Sequence, residues 1–156
     1  MRTTRKTTSA AVAAVALAAT ILTGGPASAS GHTILRDGFE GNLVPGPTIA
    51  GVPSAGRPWI LDDSSRVRVR EDGRITVNIR GLIFANGDPN PVPFVAASLV
   101  CGGAVVDSTE PFDLSVPKGN GHTSQRISVP DDCDDPVVLI RNASGDALGG
   151  YFAFTG

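Results

Sequence analysis

The stretch from Arg66 to Phe84, RVRVREDGRITVNIRGLIF, leaves a folding chain the least choice. Val67 and Val69 point to one side of an extended backbone, and Arg66, Arg68 and Arg70 point to the other. Ile75, Val77 and Ile79 share a face, with Thr76, Asn78 and Arg80 opposite. A period of two is that of a half-buried strand. Asp72-Gly73 invites a two-residue turn, but that loop sets Val69 opposite Thr76 and mixes the faces. Directly opposed residues share a face, and a slip of one residue turns a whole strand over. The sequence therefore predicts a three-residue loop, Glu71-Asp72-Gly73, with Val69 facing Ile75, Val67 facing Val77 and Arg68 facing Thr76. That loop needs a left-handed residue, and Gly73 stands where it falls.

The first 29 residues read as a secretory signal peptide rather than as part of the fold. Arg2, Arg5 and Lys6 form a basic start, Ala10 to Leu22 is an uncharged apolar run, and Ala27-Ser28-Ala29 is a small-x-small cleavage site. The run is 13 residues, short of the roughly 20 that span a bilayer core. The expected product is secreted, free of any membrane span, monomeric and cut near Ala29. Without Arg2, Arg5 and Lys6, ten basic residues face 15 acidic ones, a net charge of −5. That balance disfavours nonspecific nucleic-acid binding, which rests on phosphate neutralisation. Cys101 and Cys133 in an exported chain predict one disulfide closing a loop of about 33 residues. Two cysteines without CxxC spacing make a poor metal site.

Residues 30–57 are rich in Gly and Pro, which disfavours regular structure. Two readings stay open for this stretch, an ordered but irregular arm or a flexible linker. Strands are expected from Pro58 onward, in a domain covering residues 58–156. Trp59-Ile60-Leu61 comes first, then the Arg66 hairpin and a bent extension over Leu82 to Ala85. A second hairpin is predicted from Phe94–Cys101 and Ala104–Thr109 around Gly102-Gly103. Its two-residue turn sets Cys101 opposite Ala104, Leu99 opposite Val106 and Ser98 opposite Asp107. Phe112 and Leu114 form a short strand, Lys118 to Gly121 a turn, and Ile127 and Val129 another strand. Val137 to Ile140 is a continuous apolar run, as in a strand buried on both faces. Tyr151 to Phe154 closes the list. Many short strands without a helical period predict an all-β chain, an antiparallel β-sandwich. An immunoglobulin-like topology fits the cysteine spacing, but Trp59 precedes both cysteines instead of lying between them.

Few residues offer chemistry. His122 sits in a Gly-flanked turn and His32 in the Gly/Pro-rich stretch, and no G-x-S-x-G elbow exists. Base and orienter for a serine nucleophile cannot be assigned. Asp131, Asp132, Asp134 and Asp135 surround Cys133 and are candidate Ca²⁺ ligands, but the spacing of a calcium loop is missing. The plainer reading is a solvated acidic loop beside the disulfide. Arg66, Arg68 and Arg70, with Arg74 and Arg80, share the outer face of the hairpin. They suit a polyanion, or they are solvent-facing charges that blunt a sheet edge against aggregation. Asn142-Ala143-Ser144 is an N-x-S sequon expected to be fortuitous behind a bacterial-looking leader.

VREDGRITVNIRGL, NPVPFVAASLVC, the cysteine in VPDDC, PVVLIR and the closing YFAFTG resemble segments of a group of exported actinobacterial proteins. The resemblance spans about Arg57 to Gly156. It implies a secreted β domain with a single disulfide, and it carries no activity and no functional residue. The expected function is that of a non-catalytic binding or envelope-associated module with no cofactor and an extracellular partner. An extracellular hydrolase or Ca²⁺-dependent binder is the first alternative. A secreted protease inhibitor, with Asn86–Pro93 or Val116–His122 as its reactive loop, is the second.

Overall fold

The computed structural model describes residues 31–156, so the predicted leader lies outside the described residues. The Arg66 hairpin forms as its alternation requires. Strands β4 (Arg66–Arg70) and β5 (Arg74–Ile79) pair with Val69 opposite Ile75, Val67 opposite Val77 and Arg68 opposite Thr76. Gly73 has φ +82°, and the Gly73 N–H closes the turn on the Arg70 carbonyl at 3.0 Å. A Cβ on Gly73 would overlap the Ile127 carbonyl as well as strain the backbone.

Among the described residues, regular structure begins at Thr33, not Pro58. Strand β1 (Thr33–Gly38) pairs with β4, and β2 (Glu40–Gly41) crosses to the second sheet and pairs with β12 (Tyr151–Phe154). The Gly/Pro-rich stretch is thus neither a flexible linker nor an irregular arm throughout. Its remainder lies along the outside of the second sheet. The Tyr151 hydroxyl donates to the Pro47 carbonyl at 2.7 Å, the Ala55 N–H to the Tyr151 carbonyl and the Tyr151 N–H to the Pro53 carbonyl.

The first sheet has the order β1-β4-β5-β10, with β10 at Gly121–Arg126. The second has the order β2-β12-β11-β7-β8, where β7 is Phe94–Cys101, β8 Ala104–Ser108 and β11 Val137–Asn142. The short β9 (Phe112–Asp113) pairs with β7, and β3 (Trp59–Ile60) and β6 (Ile83–Phe84) make a separate ribbon. Every pairing among these strands is antiparallel. Val67, Val69, Ile75, Val77 and Ile79 from the first sheet meet Val95, Ala97, Leu99, Val138 and Ile140 from the second in one core. This is a β-sandwich. The other side of the second sheet holds a smaller apolar cluster, Val52, Val100, Leu139 and Tyr151, covered by Ile49 and Ala50. Two covered faces explain why Val137–Ile140 needs no polar alternation.

Cys101 and Cys133 are bonded, with Cα atoms 4.8 Å apart. The bond ties the end of β7 to the loop before β11, where the Gly102 N–H also meets the Asp134 carbonyl at 2.7 Å. It is not the bridge between two facing strands that marks an immunoglobulin domain.

Two strand expectations need correction. The second hairpin keeps Cys101 opposite Ala104, but a bulge then shifts the register, so Leu99 faces Asp107 and Ser98 faces Ser108. The shift brings the Ser98 and Ser108 hydroxyls to 2.7 Å and leaves Val106 exposed. The strand expected around Ile127 and Val129 instead ends at Arg126, and most of the preceding segment expected as a turn is separate from it. Its inward positions are Gly121, Thr123 and Gln125, so no apolar alternation announces it. Gln125 satisfies its amide on the Glu110 N–H and carbonyl and on the Thr123 hydroxyl.

The bulge also aims Asp107 across the sheet end. Its carboxylate accepts from the Ser128 N–H at 2.6 Å and the Ser108 N–H at 2.8 Å. The Ser128 N–H above all, helped by Ser108 and opposed by partial burial, holds this carboxyl below the usual carboxylate range. A depressed folded value stabilises the fold above the unfolded value of about 3.9. The contribution is lost as pH falls below that through the folded value. Asp107→Asn is expected to lower stability by about 1 kcal/mol at pH 7. Melting curves should show the gap to the parent protein closing by about pH 2. A gap unchanged in acid would contradict this assignment.

Candidate functional site: an arginine face

The pairing register of the first sheet writes out its outer face row by row. One row runs Arg36, Arg68, Thr76, Ser124 across β1, β4, β5 and β10. The next runs Gly38, Arg66, Asn78, His122. At the hairpin end, Thr33 faces Arg70 and Arg74 faces Arg126. Six arginines therefore stand on one side of one sheet, all exposed except the half-buried Arg70. The hairpin's own alternation placed Arg66, Arg68, Arg70 and Arg74 there. Arg36 and Arg126 join only through pairings between distant segments, which no local pattern reveals. Arg80 lies one step beyond the end of β5.

Among the described residues the one ion pair is Arg57–Asp88, at 3.0 Å and away from this face. Residues 1–30 contain no Asp or Glu. The carboxylates nearest the arginines in sequence are turned to backbone. Asp37 accepts from the Gly38 N–H at 2.7 Å, Glu71 from the His32 N–H at 3.3 Å and Asp72 from the Arg74 N–H at 3.1 Å. Three guanidiniums are steadied by neutral acceptors. Arg68 Nε donates to Thr33 Oγ1 at 2.9 Å, Arg126 Nη1 to the Asp72 carbonyl at 2.8 Å, and Arg66 Nη1 to the Ser65 and Asp63 carbonyls. Each such bond uses one or two of the five N–H donors of a guanidinium, so most remain available. A depression of about 310 Å³ is lined by Arg36, Arg66, Val67, Arg68, Thr76 and Asn78. The face presents fixed positive charge, hydroxyls and an amide, and its register positions hold no Phe, Tyr or Trp.

The larger cleft, about 460 Å³, opens beside Arg57, Trp59, Phe84, Asn142 and Phe152. Its rings are packed on one another, Trp59 to Phe84 at 4.2 Å and Trp59 to Phe152 at 4.5 Å, and all three are buried. Arg57 lies 3.7 Å over the Phe84 ring and is already paired with Asp88. Its donors and its rings are thus engaged within the protein.

The other sequence candidates stay scattered. Asp131, Asp132, Asp134 and Asp135 are all exposed, and among the described residues no three His, Cys, Asp or Glu side chains gather as a metal site would need. His122 stands on the arginine face opposite Asn78, and its ring makes no hydrogen bond to a serine or carboxylate among the described residues. His32 is exposed and meets Glu71 through its backbone. The Val116–His122 stretch runs into β10, and the Asn86–Pro93 loop is tied to its start through the Asn90 N–H on the Pro117 carbonyl at 2.9 Å and the Asn90 amide on the neighbouring Ser115 carbonyl. Asn142 of the sequon closes β11 and accepts from the Ser144 N–H at 3.0 Å.

No family model, curated protein or solved structure matches the chain.

Proposed function

We propose that the protein is an exported, non-catalytic binding module that attaches to an anionic component of the cell envelope through the outer face of its first sheet. The observation that carries this is the set of six arginines without a carboxylate partner, on a chain whose expected mature form is net acidic. Guanidiniums collected on one face create a local positive field despite the opposite overall charge, and such a field steers anions. Solubility alone does not call for a grouping of one sign on one face. The leader-like start and the disulfide support export, since such bonds persist in oxidising compartments.

The test is cosedimentation of the processed protein with an envelope fraction from the producing cell. Pelleting at low salt and release by about 0.5 M salt are expected, because exposed charge pairs are screened at that strength. Protein that stays in the supernatant at low salt would end this reading. So would turnover in an extracellular hydrolase screen that disappears in His122→Ala.

A further inference from the structure

The geometry points to a linear, phosphate-bearing polyanion without nucleobases as the ligand of the arginine face, lying along β4. This rests on the reading of that face as the binding surface and narrows its chemistry. Along β4, Arg66, Arg68 and Arg70 are each two residues apart, about 6.6–6.8 Å on an extended strand. Neighbouring strands add Arg36 on one side and Thr76 and Asn78 on the other, about 4.8 Å away. A chain with evenly repeated charges can meet three guanidiniums in sequence. A compact anion meets one or two.

Two features favour phosphate over carboxylate. Guanidinium forks bind carboxylate and phosphate oxygens alike in pairs, but a phosphate offers more acceptors for the leftover N–H groups. Thr76, Ser124 and Asn78 stand in the rows beside the arginines, and hydroxyl and amide side chains commonly supplement Arg on phosphate oxygens. The Thr76 and Ser124 hydroxyls are 3.3 Å apart, so they present one polar ridge along the row. The face also lacks the aromatic rings on which bases stack in single-stranded nucleic-acid sites, so recognition rests on the polymer's charged backbone. Asp37, Glu71 and Asp72 accept from backbone N–H groups, and among the described residues no carboxylate lies within ion-pair distance of Arg66, Arg68 or Arg70.

The experiment is titration of the processed protein with long-chain inorganic polyphosphate, tripolyphosphate, polygalacturonate and an oligodeoxythymidine, at several salt concentrations. Long polyphosphate is expected to bind at least tenfold more tightly than the other three at 50 mM salt. Arg66→Gln/Arg68→Gln/Arg70→Gln should weaken it at least tenfold and flatten the slope of log K against log salt by about 2, the loss of three phosphate contacts. Arg36→Gln/Arg74→Gln, whose side chains make no hydrogen bond among the described residues, should weaken it severalfold with an unchanged melting temperature. It therefore tests the face even if the triple variant folds poorly. Equal binding of polygalacturonate or oligodeoxythymidine, or wild-type affinity in both variants, would overturn the inference. Absence of polyphosphate binding would overturn it too. If the arginine variants then still lose envelope pelleting, the face is the binding surface and only the phosphate chemistry is wrong. If pelleting survives them, the reading of the face itself falls.

Discussion

Cys101→Ala/Cys133→Ala is expected to unfold in urea with a stability lower by about 3–4 kcal/mol, as is the unaltered protein under reducing conditions. The residues are separated by 32 positions, and a loop of that length removes about this much chain entropy from the unfolded state. The closed loop holds β8, β9 and β10, so the bond confines the edges of both sheets at once. β10 has the weakest claim to form alone, since its inner face is Gly121, Thr123 and Gln125 rather than aliphatic. Alanine is chosen because Cys101 is buried and packs in the main core, where a serine hydroxyl would add its own penalty. The urea midpoint should fall and the slope should rise, because the reduced unfolded chain exposes more surface. A loss under 1 kcal/mol would mean that the contact between Gly102 and Asp134 and the strand pairings around it hold the loop without the bond.

The strands that announced themselves are those whose buried and exposed residues alternate. The Arg66 hairpin was legible down to its loop length, because only one register keeps Val67, Val69, Ile75 and Val77 on one side. Val137–Ile140 was legible for the opposite reason, an apolar run that tolerates no wet face. Strands built on polar inner residues were not. Thr123 and Gln125 face inward by spending their polar groups on each other and on Glu110, a solution invisible without the partner's position. Glycine misled in the same way. Gly41 lies where a Cβ would overlap the Trp59 carbonyl, so it marks close approach of β2 to the ribbon, not a loose linker. The Val106 bulge was hidden because Gly102-Gly103 fits a regular turn, and the shift is driven by hydroxyls and a carboxylate further along.

The candidate site divides along the same line. Period two exposes Arg66, Arg68 and Arg70 together, so the sequence alone marks a basic stripe on one strand. What makes the stripe a face is β1 on one side and β10 on the other, which bring in Arg36 and Arg126. Equally hidden was the fate of Asp37, Glu71 and Asp72. In the sequence Glu71 and Asp72 dilute the charge, whereas in the fold all three carboxylates accept from backbone N–H groups and none pairs with an arginine of the face. A residue's formal charge is read from the sequence, but whether it is neutralised depends on where its neighbours point.

Asn42→Ala is expected to cost about 2–3 kcal/mol, a large effect for a polar residue in a Gly/Pro-rich segment. Asn42 is 1 % exposed, and its side chain ties the end of β2 to residues 55–59. Its amide N–H groups donate to the Ala55 carbonyl at 3.1 Å and the Arg57 carbonyl at 3.3 Å, while its Oδ1 accepts from the Trp59 N–H at 3.1 Å. Alanine leaves two carbonyls short of a donor and a void beside Trp59, where the Trp59–Phe84–Phe152 stack anchors the ribbon. Trp59 is the single tryptophan, so its fluorescence reports this junction directly, and its emission should shift to the red as the ring gains water. Asn42→Asp separates hydrogen bonding from packing, since it keeps the shape but sets an acceptor against two carbonyl acceptors. At pH 7 it should cost at least as much as alanine, and its deficit should narrow as pH falls toward about 4, where the carboxyl gains a proton and can donate. Wild-type urea midpoints in both variants would show that the segment is held by the bonds of Pro47, Pro53 and Ala55 to Tyr151 instead. A deficit for Asp that does not respond to pH would place the cost in packing rather than in the three hydrogen bonds.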